Sequence, residues 1–103
     1  MSYFINIQQT LADQIEHIEN ALHAVVGAGD DDALFIASYL HGHFDIVVTQ
    51  VDNESHPSLS TLDQCMQNDL ADAFANNELE SADQVKVYAL WQQLVDGTSE
   101  LTA

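Results

Sequence analysis

The sequence predicts an all-α protein, a small antiparallel four-helix bundle or a close variant of one. Three observations carry that expectation. Apolar residues recur at steps of three and four along four separate segments, the signature of helices with one buried face. The breaks between segments are short, which makes consecutive helices antiparallel neighbours. A chain of 103 residues that is 47% hydrophobic has the size and apolar content for one core and not for two.

The first stripe is Phe4, Ile7, Leu11, Ile15, Ile18, Leu22 and Val25, with Asp13, Glu16, Glu19 and Asn20 on the water-facing side. Gly27-Ala28-Gly29 ends it, because glycine takes the left-handed conformation that closes a helix. Asp30-Asp31-Asp32 then suits a helix start, where a carboxylate caps free N–H groups and meets the positive end of the dipole. The second stripe is Leu34, Phe35, Ile36, Tyr39, Leu40, Phe44, Val47, Val48 and Val51. Ile46-Val47-Val48-Thr49 has a strand-like composition, but helical spacing runs through it and the expectation is helix. Gly42 falls in mid-helix, where glycine costs about 1 kcal/mol relative to alanine; close approach of a neighbouring helix would account for it.

Asp52 to Pro57 reads as a loop, with the sole proline at its end. The third stripe is Leu59, Leu62, Met66, Leu70 and Phe74, flanked by Ala73, and Asn76-Asn77 breaks it. Ser81 with Gln84 has capping-box spacing for a fourth helix. Its stripe is Val85, Tyr88, Trp91, Leu94 and Val95, with Gly97 as the stop. Residues 1–97 thus form one helical domain, and 98–103 a frayed tail.

Charge is the extreme feature. Seventeen Asp and Glu face a single Lys86 and no Arg, a formal net charge of −16. Such a surface repels nucleic acid and anionic lipid, since phosphate binding depends on Lys and Arg. The expected partner is another protein, a basic one by charge, with no direct nucleic-acid or membrane contact; the chain itself is a monomer or homodimer. Cys65 is the only cysteine, the N-terminus has no signal-peptide pattern, and no apolar run is long enough to span a bilayer. A reducing, cytoplasmic location is expected.

The tripeptide His41-Gly42-His43 is the first candidate for chemistry. Residues two apart on a helix point about 200° away from each other, so these two histidines cannot share a metal there. Glu19 does reach His23, and His41 reaches Asp45, each at i+4. Two such pairs meeting in a bundle offer ligands suited to Zn²⁺ or another divalent ion. The Glu-x-x-His pattern of di-iron bundles is absent. The metal candidates are therefore His41, His43 and Asp45, although no metal or other cofactor is expected. Cys65 lies on the shoulder of the third stripe without a cation nearby in sequence, which suits a small hydrophobe better than a thiolate. No nucleophile elbow or phosphate loop is present, and no enzyme is expected. The rows Asp13, Glu16, Glu19 and Asp69, Asp72 imitate phosphate spacing, but rows of this kind are ordinarily a solvated face.

Asp31-Asp32-Ala33-Leu34-Phe35, Tyr39-Leu40-His41-Gly42-His43, Glu78-Leu79 and Trp91-x-x-Leu94 follow one another in this order. Together they resemble the YfcL family of small bacterial proteins, over residues 13 to 96. His41 falls at the variable position of the second motif, whereas Gly42 and His43 match it. The resemblance implies an all-helical bacterial domain whose biochemical role is unknown, with no catalytic residues to carry over. The resulting expectation is a non-catalytic interaction domain, a small acidic adaptor or modulator, with Tyr39, Gly42 and His43 at its contact surface. The alternative is a helical domain binding a metal or small ligand; a nucleic-acid mimic on a basic partner comes third.

Overall fold

The computed structural model describes residues 3–27, 30–53 and 57–99, and of residues 3–10, 26 and 99 the backbone alone. The expected Gly stop at residues 28 and 29, part of the Asp52–Pro57 loop (residues 54–56), and residues 100–103 of the tail lie outside the described residues. Four helices follow in order: α1 Tyr3–Val26, α2 Asp31–Asp52, α3 Leu59–Ala75 and α4 Ser81–Ser99. No strand occurs among the described residues. Each helix packs on its neighbours in sequence, α4 returns to α1, and α2 also touches α4 across the bundle. This is the small helical bundle the stripes predict, with α2 against all three other helices.

Each boundary has a local cause. Asp30 caps α2, its carboxylate accepting from the N–H groups of Asp32 and Ala33. Ser58 caps α3 by accepting from the N–H of Thr61. Caps of this kind contribute about 1 kcal/mol each. At the end of α3, Asn77 takes a left-handed φ of 60°, which asparagine tolerates better than most residues. The Asn77 N–H then bonds Phe74 O at 3.0 Å and the Glu78 N–H bonds Ala73 O at 3.4 Å, the paired bonds of a Schellman motif. Through that turn the chain reverses, and Glu78 comes to face α2.

The core is built from Leu11, Ile18 and Leu22 of α1, Ile36, Leu40, Phe44, Val47 and Val51 of α2, Leu62, Met66 and Leu70 of α3, and Val87, Trp91 and Leu94 of α4. Complete burial of a side chain such as Leu40 or Phe44 contributes about 1.5–3 kcal/mol. Trp91 stands beside Phe44, ring centroids 5.9 Å apart, and its Nε1–H donates to Asp63 Oδ1 at 2.8 Å, joining α4 to α3.

Several expectations need correction. In α4 the buried position is Val87, whereas Val85 is 68% exposed and Tyr88 39%. Gly97 does not stop the helix, which runs on to Ser99. Thr98 is fully buried and its hydroxyl donates to Leu94 O at 2.7 Å, so this residue is core and not tail. The capping box does not form. Ser81 is the first helical residue, and the Gln84 side chain instead donates to Leu79 O at 2.8 Å. In α2, Leu34 and Phe35 lie in water at 39% and 47% exposure. A methyl group added at Gly42 would meet nothing within 4 Å, so no close helix approach offsets the helical cost of this glycine. Strand-like Ile46–Thr49 is helical throughout, and Cys65 packs half-buried against the core.

Candidate functional site

At about 100° per residue, α2 presents three working faces besides its core face. His41 turns toward α1, His43 and Tyr39 turn toward α3 and the α3–α4 connection, and Phe35, Gly42 and Ile46 share the outer side. The two histidines of the tripeptide thus part company, as helical geometry requires.

On the α3 side, the His43 Nδ1 pairs closely with Asp69 Oδ2, while its Nε2 lies 3.8 Å from Glu78 Oε1. The Tyr39 hydroxyl donates to the same Glu78 oxygen at 2.9 Å. The Tyr39 ring rests on the imidazole, centroids 4.6 Å apart, and stacks on Phe74 at 6.3 Å; Phe74 in turn meets Tyr88 edge-on at 5.1 Å. Four polar groups and three aromatic rings thereby fasten α2, α3, the following turn and α4 into one cluster. Tyr39 and His43 are expected contact residues, and the structure gives both an internal duty.

Burial, reinforced by the hydrogen bond to Glu78 and by the charges of Glu78 and Asp69, holds the Tyr39 phenol well above its ordinary value. A raised value in the folded state means a contribution to stability that is complete below the ordinary phenol value of about 10. It is lost as pH climbs through the raised value. In an alkaline titration followed at 295 nm, Tyr39 is expected to ionise well above the ordinary phenol value and together with unfolding. Tyr39→Phe should remove that late step, whereas a difference between parent and variant centred near the ordinary value of about 10 would contradict the assignment.

On the α1 side, His41 Nε2 lies 3.6 Å from Asp45 Oδ1. One ligand atom each from Glu19, His41 and Asp45 fall within 4.8 Å of one another. The His23 ring meets His41 edge-on with centroids 5.5 Å apart. Of the two i+4 pairs legible in the sequence, His41/Asp45 forms, whereas Glu19 gathers with His41 and Asp45 across the α1–α2 seam and His23 meets the His41 ring; His43 takes no part.

The outer face of α2 is apolar in an unusual place. Phe35 is 47% and Ile46 56% exposed, and exposed Gly42 lies between them as a gap in the side-chain cover. Exposed Asp31 lies beside them on the same side of the helix. The acidic rows are less regular than the sequence suggests: Glu19 turns to His41 and Asp69 to His43. Among the described residues, no helix is long and apolar enough to cross a membrane.

A family model described as YfcL protein matches residues 12–96. A curated protein of Escherichia coli (strain K12) called uncharacterized protein YfcL is 25% identical over 79 residues, covering 77% of this chain and 86% of its own length. No solved structure shows significant similarity to the chain.

Proposed function

The chain belongs to the YfcL family, and we propose that it acts as a non-catalytic interaction domain, a small acidic adaptor or modulator that docks a basic protein on the outer face of α2. The observation that carries this reading is the exposed pair Phe35 and Ile46 across Gly42, on a helix whose opposite face already fills the core. The two side chains stand about 16 Å apart along the helix, two apolar anchors on one wet side, and exposed apolar groups that share a side are a usual mark of a contact surface. The setting specifies the partner's chemistry. With a net charge of −16, the protein favours a partner that brings Lys and Arg around an apolar ridge. Tyr39 and His43 support that face from the side by fixing the turn of Glu78. Half-buried Cys65 and a single Lys in the whole chain offer little to activate a nucleophile.

The test is capture of partners from a native lysate by the folded chain, washed first at low and then at high salt, with Phe35→Ser and Ile46→Ser alongside. One stoichiometric basic partner should survive the low-salt wash and weaken with salt. Each substitution should reduce capture by roughly 30-fold, the effect of losing an interface anchor of about 2 kcal/mol. Circular dichroism should stay that of the parent, because both side chains point to water. Capture indifferent to both substitutions, or no stoichiometric partner, would overturn the proposal.

A further inference from the structure

We infer that the α1–α2 seam holds a binding site for a first-row divalent transition-metal ion, zinc above all, with Glu19, His41 and Asp45 as ligands and His23 as the fourth. This inference is independent of the docking face, which uses other side chains of α2. Three observations converge on it. The ligands come from two different helices, Glu19 and His23 from α1 and His41 and Asp45 from α2, so an ion would cross-link α1 and α2 instead of decorating one surface. Their atoms are already gathered: His41 Nε2 to Asp45 Oδ1 is 3.6 Å, and one ligand atom each from Glu19, His41 and Asp45 fall within 4.8 Å of one another. Around tetrahedral Zn²⁺, with bonds of about 2.0–2.1 Å, ligand atoms sit about 3.4 Å apart. The His41–Asp45 pair is close to that spacing, and Glu19, within 4.8 Å of both, has to approach by at most about 1.4 Å to reach it. The His23 ring meets His41 edge-on with centroids 5.5 Å apart, and as an exposed side chain it has to swing a nitrogen inward to become the fourth ligand.

The donor chemistry selects the ion. Two imidazoles with two carboxylates suit Zn²⁺, Co²⁺ or Ni²⁺, whereas Ca²⁺ and Mg²⁺ prefer oxygen alone. The strongly negative chain raises the local concentration of any cation, but the imidazoles are what separate this seam from the acidic surface at large. The other histidine cluster does not compete. His43 is occupied by Asp69 and Glu78, and Glu78 by Tyr39.

The test is titration of the untagged full chain with Co²⁺ in the presence of millimolar Mg²⁺, read by visible d–d absorption and by displacement with Zn²⁺. One equivalent of Co²⁺ with a tetrahedral spectrum is expected. His41→Ala and Asp45→Asn should each weaken it at least tenfold, His23→Ala should also weaken it, and His17→Gln should leave it unchanged. The exposed or half-exposed ligands make these variants compatible with folding, which circular dichroism checks. Several weak equivalents erased by Mg²⁺ would show cations on an acidic surface and overturn the site. So would a loss in His17→Gln equal to that in His41→Ala.

Discussion

Replacing Trp91 with alanine will cost the fold about 3–5 kcal/mol, the range for deleting a large aromatic side chain from a packed core. Trp91 is 1% exposed, and it supplies both the contact with Phe44 and the hydrogen bond to Asp63. Domains of this size are stable by about 5–15 kcal/mol, so the variant is expected to melt roughly 15–30 °C below the parent. Trp91→Phe separates the two roles. It keeps most of the ring volume but withdraws the donor from Asp63 Oδ1, which retains Gln67 Nε2 at 3.1 Å. Its smaller cost, about 1–3 kcal/mol, measures the lost hydrogen bond. Thermal unfolding followed by circular dichroism checks both, and equal losses would mean that the polar contact and not the packing dominates.

The second large effect is expected at His43. Its ring ties α2 to α3 through Asp69 and to the α3–α4 turn through Glu78. Hydrogen bonds to charged groups contribute about 1.5–3 kcal/mol, and the partial exposure of these side chains reduces that through solvent screening. His43→Ala should therefore lower stability by about 1–2 kcal/mol in urea unfolding. The decisive measurement is a double-mutant cycle with Asp69→Ala. The second substitution should cost little once the first is made, because both remove the same contact. Strict additivity would show that the two side chains act separately.

Most of the fold was legible because the stripes of α1, α2 and α3 each contain a run of core residues at clear helical spacing. In α1, α2 and α3, residues such as Ile18, Leu40, Phe44, Met66 and Leu70 recur at helical spacing and are all fully buried. The fourth helix misleads because its apolar residues fit two phases. One runs Val85, Tyr88, Trp91 and Val95; the other runs Val87, Trp91, Leu94 and Thr98. The second prevails because a threonine hydroxyl can satisfy itself on the preceding turn and enter a core, which hydrophobicity alone does not reveal. In α2, Phe35 follows Leu34 and precedes Ile36, and a run of three apolar residues hides which of them faces out.

The candidate sites divide along the same line. The opposition of His41 and His43 and the pair His41/Asp45 follow from spacing within one helix, whereas the turn of Glu19 toward His41 and not His23 depends on how α1 packs on α2. That Asp69 and Glu78 close on His43 depends on packing between segments 26 and more residues apart, which periodicity does not encode. Glu78 had a local signal: it follows the Asn pair whose left-handed turn aims it back at α2.

The solitary lysine has a practical consequence for proteolysis. Lys86 pairs with Asp32 at 2.7 Å across the α2–α4 seam, and its neighbour Val87 is fully buried. This sequence therefore offers trypsin one internal peptide bond, Lys86–Val87, placed inside a helix. Proteases cut chains that have opened locally. A single scission, two fragments and no competing cuts turn trypsin into a clock for whatever opening, local or global, frees α4 around Lys86.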